Sequence, residues 1–250
     1  MKRGEQGRSH SSPSRASPRL WAVIPAAGSG SRMAASVPKQ YLSLCGRTVL
    51  ERTLERILDH PRIRAVVLVL APGDMHWPAI AGQYRDRSLV LAEGGTQRGH
   101  SVLNGLGALA RHAAPDDWVL VHDAARPCIR RQDVDRLLER LDAHAVGGLL
   151  GIPVADTVKR VDRDGRISAT VDRRELWRAL TPQMFRYRLL LDALQAALDQ
   201  ERAVTDESSA MEIAGHGPQI VEGRADNIKI TRPEDLALAE WYLAQQEEGG

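Results

Sequence analysis

Leu20-Trp21-Ala22-Val23-Ile24-Pro25 runs straight into Ala26-Ala27-Gly28-Ser29-Gly30-Ser31-Arg32-Met33, and Pro38-Lys39-Gln40 follows a few residues later. The first six residues are continuously apolar and read as a buried strand. The small residues behind it leave backbone N–H groups unshielded, so the loop can approach phosphate oxygens closely. Arg32 and Lys39 add full positive charge. Strand, loop and two cations together predict a nucleotide triphosphate site.

Spacing narrows the kind of site. A dinucleotide fingerprint needs a third glycine for close helix–strand packing, and that place is Met33. A P-loop needs Gly-x-x-x-x-Gly-Lys-Ser/Thr, a string that the chain does not contain. What remains is a looser strand–loop–helix anion site, for which an ordinary turn and a helix-start surface cation are the competing explanations.

Working outward, residues 64–70, 88–92, 118–122 and 147–153 repeat the short, apolar, β-branched theme,. Helical periodicity lies between them, at 49–58, 101–110 and 134–141, and resumes at 185–198 and 206–214,. Thr231-Arg232-Pro233-Glu234 has the form of a capping box with proline in the first turn of a last helix,. Strands alternating with helices predict an α/β fold: a Rossmann-like, mostly parallel sheet with helices on both faces. The rhythm breaks between about 154 and 180. There, strands at 156–161 and 167–172 flank Asp162-Arg163-Asp164-Gly165, the pattern of a β-hairpin,. Few apolar residues fall on either of its faces, so it is expected to project as an arm, or else to lie on its own domain.

The 250 residues carry a formal net charge of +2. Five Lys/Arg and one acidic residue fall in the first twenty, leaving 29 basic against 31 acidic residues in the rest. The basic balance therefore belongs to a Ser/Arg/Pro-rich tail, residues 1–19, that lacks apolar periodicity and is expected to be disordered. It also lacks the apolar core of a secretory signal. A near-neutral body argues against a nucleic-acid partner. The longest apolar runs fall well short of the ~20 residues a membrane span requires, so a soluble, cytoplasmic protein is expected. Cys45 and Cys128 fit no metal-ligand spacing, and the eight His form no ligand cluster,. No protein-held metal site is expected.

Two further segments follow strands, and doubly wound folds bind ligands at the carboxyl ends of their strands. Glu93-Gly94-Gly95-Thr96-Gln97-Arg98-Gly99-His100-Ser101 opens a helix, so its amides and Ser101 could read a base or ribose. His122-Asp123-Ala124-Ala125-Arg126-Pro127 places Asp123 at the same rim. Taken singly, Arg98, Asp123 and Arg126 would pass for capping or loop-ordering residues. Their joint occurrence at strand ends points to a site.

Read together, these residues resemble the 2-C-methyl-D-erythritol 4-phosphate cytidylyltransferases of the non-mevalonate isoprenoid pathway. The resemblance runs from Ala22 to about Tyr242. It includes Pro25-Ala26-Ala27-Gly28 with Arg32, Pro38-Lys39-Gln40-Tyr41, Gly94-Gly95 with Arg98 and Ser101, and His122 through Pro127. Further on it includes Asp156-Thr157, Thr170-Val171-Asp172-Arg173, Leu176-Trp177, Thr181-Pro182-Gln183, Thr205-Asp206-Glu207 and Asn227-Ile228-Lys229-Ile230. Ribitol-phosphate cytidylyltransferases share the glycine loop and Pro-Lys-Gln, whereas Asp172-Arg173, Leu176-Trp177 and 205–212 resemble the methylerythritol enzymes. Ser29, Ser31, Thr96 and Gln97 depart from the bulkier or charged residues common in the family.

The resemblance implies transfer of CMP from CTP to 2-C-methyl-D-erythritol 4-phosphate by a cytidylyltransferase domain spanning about 20–245. It implies Arg32 and Lys39 as the catalytic cations, with Mg²⁺ held mainly through CTP phosphates. Nucleotide contacts fall to Pro25, Ala26, Ala27, Gly28, Gly95, Thr96 and Ser101, and acceptor contacts to Asp123, Thr157, Arg173, Thr205 and Lys229. Thr157 and Arg173 lie on the hairpin, which in the family reaches a neighbouring subunit's site, so a homodimer through the arm is expected. A ribitol 5-phosphate enzyme, or a non-catalytic nucleotide-binding domain of the same fold, are the alternatives.

Overall fold

A computed structural model describes residues 17–28 and 37–248. Most of the basic tail, and the loop stretch 29–36 with Arg32, lie outside the described residues. The chain runs β1 (Leu20–Pro25), a small ribbon of β2 (Ser43–Leu44) and β3 (Arg47–Thr48), α1 (Val49–Leu58), β4 (Ile63–Leu70) and α2 (Pro78–Ala81). Next come β5 (Leu89–Glu93), α3 (Arg98–Ala108), β6 (Trp118–Val121), α4 (Arg131–Leu141), β7 (Gly147–Pro153), β8 (Val158–Val161) and β9 (Ile167–Val171). It ends with β10 (Trp177–Arg186), α5 (Tyr187–Asp199), α6 (Glu207–Ile213), β11 (Gln219–Glu222) and α7 (Glu234–Glu248).

Seven strands form the central sheet in the order β11-β7-β10-β6-β1-β4-β5. All neighbours pair in parallel except β10, which is antiparallel to both β6 and β7. β1 is covered on both faces, which is why it reads as an unbroken apolar run. Leu20, Ala22 and Ile24 pack on one side with Leu50, Leu54 and Ile57 of α1 and Leu137 of α4. Trp21 and Val23 face the other side, with Val102 and Leu106 of α3 and Leu190 and Leu194 of α5. Thr48 and Glu51 close a reciprocal capping box at the start of α1,.

Two local expectations are corrected. Residue 185 is not helical: Phe185, 0% exposed, belongs to β10, and α5 starts at Tyr187. Thr181-Pro182 sits where the pairing of β10 with β7 shifts register, between Ala179 and Gln183. A proline cannot donate to a ladder, and the irregularity accommodates it. The last helix starts at Glu234, but Asp235 rather than Glu234 collects the Thr231 and Arg232 N–H groups, at 2.8 and 2.9 Å.

The hairpin stands apart. β8 and β9 pair with each other in a separate two-stranded sheet, turning at Gly165, whose φ of +80° suits a residue without Cβ,. Val161 and Ile167 are 53% and 65% exposed. The chain rejoins the central sheet at Trp177, opposite Pro153.

Candidate active site

β1 is joined to β4 on one side and β6 on the other, so successive crossovers leave it in opposite directions. A crevice opens at the strand ends of such a switch point. Here an open cleft of about 220 Å³ is lined by residues from the loops after β1, β5 and β6, with Lys39 and Lys229. Of the residues named from sequence, Pro25, Ala26, Ala27, Gly28, Lys39, Gly95, Thr96, Ser101, Asp123 and Lys229 all line it.

The small-residue half is built by backbone. Ala26 N–H donates to Val69 O at 2.7 Å, and its carbonyl accepts Gln40 Nε2 at 2.7 Å. Gly94 N–H donates to Leu70 O at 2.7 Å, drawing the second loop against the first. A Cβ on Gly94 would stand 2.3 Å from Ala27 Cβ, so that approach requires glycine. The Ser101 hydroxyl accepts Gly95 N–H and donates to Gln97 O, both at 3.1 Å. Ser101 therefore braces the loop that it was expected to use for reading a nucleoside.

The charged half gathers around Asp123, 7% exposed. Its Oδ1 faces Arg98 at 3.2 Å, and its Oδ2 faces Lys229 Nζ at 2.9 Å and Arg126 Nε at 3.5 Å. Burial alone would raise this carboxyl, but Arg98, Lys229 and Arg126 override it and hold it well below the usual carboxylate range,. Thr181 Oγ1 accepts the Asp123 N–H at 3.1 Å and lies 3.0 Å from His122 Nδ1, while His122 Nε2 meets Arg126 O at 3.0 Å. Burial pushes the imidazole down to about 4, so it stays neutral at neutral pH and serves as a bracket. Lys39 Nζ donates to Ile230 O at 3.0 Å, next to Lys229. Cations from the two halves thus meet on one irregular segment, at Lys229 and Ile230.

Thr157, Arg173 and Thr205 are exposed and do not line the cleft; the first two flank the hairpin, and Thr205 precedes α6. Arg32 lies outside the described residues. Site residues beyond the sequence reading are Gln40, 4% exposed behind Ala26, and Glu207, 0% exposed behind Arg98. Gln40 stood in the Pro-Lys-Gln string and Glu207 in Thr205-Asp206-Glu207, but nothing local marks Glu207 as the partner of Arg98.

The family model described as 2-C-methyl-D-erythritol 4-phosphate cytidylyltransferase matches residues 20–245. A protein of that name from Pseudomonas aeruginosa PAO1 is 58% identical over 220 residues, covering 88% of this chain and 94% of the relative. A crystal structure of 4-diphosphocytidyl-2C-methyl-D-erythritol synthase superposes with TM-score 0.78 at 38% identity, covering 90% of this chain and 98% of the other. The Francisella tularensis 2-C-methyl-D-erythritol 4-phosphate cytidylyltransferase gives 0.77 at 34% identity, covering 90% and 99%. The chain belongs to the 2-C-methyl-D-erythritol 4-phosphate cytidylyltransferase family.

Proposed function

We propose that this protein transfers CMP from CTP to 2-C-methyl-D-erythritol 4-phosphate, giving 4-diphosphocytidyl-2-C-methyl-D-erythritol and pyrophosphate. One observation carries the reading beyond family membership: a single cleft joins a close-packed, small-residue loop half to a cation-rich half, with Lys39 and Lys229 between them. Those halves suit a nucleotide and a phosphate monoester respectively.

The acceptor phosphate has a second pKa of about 6, so it is already largely dianionic at neutral pH and needs no general base. The buried, neutral, fully engaged His122 agrees with that. The difficulty is to bring this dianion in line onto the α-phosphorus of a polyanionic nucleotide, a task for positioning and fixed positive charge. Lys39, held at Ile230, and Arg32 supply that charge. Lys229 and Asp123 orient the acceptor, with Thr205 at its edge.

Among the described residues no group of three or more His, Cys, Asp or Glu could hold a metal ion. Asp123 lines the cleft but already faces three cations, so the donors fit a Mg²⁺ ion held mainly by triphosphate oxygens, with Asp123 as at most one ligand. When bound, the ion would neutralise charge along the triphosphate.

Thr157 and Arg173 act in a partner's cleft, which makes the protein a homodimer through its arm. The separate two-stranded sheet and the exposed Val161 and Ile167 support this, because an isolated hairpin is marginal in water,. Among the described residues no helix is long and apolar enough to cross a membrane, which agrees with a cytoplasmic enzyme.

Pyrophosphate release, measured with CTP, Mg²⁺ and either methylerythritol 4-phosphate or ribitol 5-phosphate, tests the reading. Equal or faster turnover of the ribitol ester refutes it. Lys39→Ala is expected to lower kcat by about 10²–10³, as loss of an oxyanion-stabilising donor does.

A further inference from the structure

Arg98, the first residue of α3, spans two carboxylates of different standing. Asp123 lines the cleft; Glu207, the first residue of α6, is 0% exposed and does not line it. The guanidinium grips Glu207 with both arms, Nη1 to Oε1 at 2.6 Å and Nη2 to Oε2 at 3.1 Å. Its other edge, Nε and Nη2, reaches a single oxygen of Asp123, Oδ1, at 3.3 and 3.2 Å. That leaves Oδ2 to Lys229 at 2.9 Å and, at 3.5 Å, to Arg126 Nε.

Glu207 is placed by the pinned start of α6. Gln183 of β10 accepts the Ser208 N–H at 2.8 Å and donates to the Asp206 carboxylate at 2.9 Å, while that carboxylate caps α6 by accepting Ser209 N–H at 2.9 Å. β10 also carries Thr181, the acceptor for Asp123 N–H. One strand therefore locates both ends of the ion chain.

We infer that Glu207 is a positioning residue for the acceptor half of the cleft: by gripping Arg98 it confines that guanidinium to Asp123 Oδ1 and keeps Oδ2 open to Lys229, with Arg126 Nε farther off on the same oxygen. A planar fork favours a bidentate carboxylate whenever one is free to turn toward it. With Glu207 neutralised, Asp123 is the remaining anion within the fork's reach. The guanidinium turns onto both of its oxygens, and Lys229 loses its place. The inference rests on the assignment of Asp123 and Lys229 to the acceptor half of the cleft.

Glu207→Gln keeps the shape and removes the charge. The expected result is a KM for methylerythritol 4-phosphate raised about 10–100-fold, the range seen when the orienting partner behind a metal ligand is removed. The CTP dissociation constant, measured by calorimetry without acceptor, should stay within about threefold of the parent, a shift below ~1 kcal/mol. Glu207→Asp, which restores the charge, should recover most of the acceptor KM.

An unchanged acceptor KM in a folded Glu207→Gln protein overturns the inference. So does a joint loss of CTP affinity, acceptor KM and thermal midpoint, which marks a merely structural role. Should Glu207→Gln not fold, Arg98→Lys, which keeps charge but loses the fork, must show the same split between substrates or the inference fails. If the parent itself does not turn over methylerythritol 4-phosphate, the proposed function fails instead. A crystal structure of Glu207→Gln then decides the inference: Lys229 displaced from Asp123 supports it, and an intact 2.9 Å contact overturns it.

Discussion

Asp123→Asn preserves the shape of a buried side chain and removes the anion that Arg98, Arg126 and Lys229 share. Removing one partner of a buried pair costs about 3–5 kcal/mol, because the remaining charge stays uncompensated. Arg98 and Lys229 side chains are 30% and 38% exposed and can partly rehydrate, which places the cost near the lower end, about 3 kcal/mol. For a chain of this size each kcal/mol moves the thermal midpoint by about 2–4 °C, so a fall of about 6–12 °C is expected. The same change has the opposite sign for anions. Lys39, Arg98 and Lys229 line the cleft together with Asp123, so the variant leaves one more unit of positive charge there. Pyrophosphate should therefore raise the midpoint of Asp123→Asn by more than it raises that of the parent. Differential scanning calorimetry of both proteins, with and without pyrophosphate, reads both effects. A variant melting within about 2 °C of the parent, or equal stabilisation of the two by pyrophosphate, refutes the account of the cluster.

The buried His122 titrates near 4 against about 6.5 in the unfolded chain, so the unfolded state binds the extra proton between those values. Stability should fall as pH drops through that window, by up to about 3 kcal/mol. His60, also lowered by burial, adds in the same direction, whereas the depressed Asp123 carboxyl matters only once unfolded carboxylates begin to protonate,. His122→Asn should remove one proton's worth of slope, about 1.4 kcal/mol per pH unit in urea unfolding; an unchanged slope contradicts the neutral bracket. Gly94→Ala puts a methyl 2.3 Å from Ala27 Cβ, and is expected to cost about 1–3 kcal/mol of strain and to weaken CTP binding. Gly94→Ala with Ala27→Gly should recover CTP affinity in a calorimetric titration, and failure to do so argues against the close approach of the two loops. Phe185→Ala should lose about 3–5 kcal/mol in urea unfolding, a loss that a surface helix position would not show.

Elements ruled by their own residues were legible from the chain alone. β1 and β7 fall at the expected bounds because each is a short apolar run buried on both faces,. α1 does so because Leu50, Leu54 and Ile57 share one face behind the Thr48–Glu51 box,. The hairpin turn was legible because Gly165 permits a positive φ. β10 was not. Its Met184-Phe185 end continues into the apolar pattern of α5, and Pro182 interrupts the strand signal.

The site divides in the same way. Gly28, Lys39, Gly95 and Asp123 could be named as candidates because each follows a strand in a short, recognisable string, and the sheet brings those strand ends together. Ser101 was named for the right loop, and besides lining the cleft it braces that loop, since the Gly95 N–H and Gln97 carbonyl lie within its reach. The grip of Arg98 on Glu207 links positions 109 apart, and that of Lys39 on Ile230 links positions 191 apart. Periodicity and spacing record what a residue does for its own turn or strand. Contacts across such separations depend on which strands become neighbours, and here the insertion of β10 beside β6 carries Thr181 to Asp123 and Gln183 to the start of α6. The sequence thus determined the loops and their charges, and the tertiary structure decided which charges face one another.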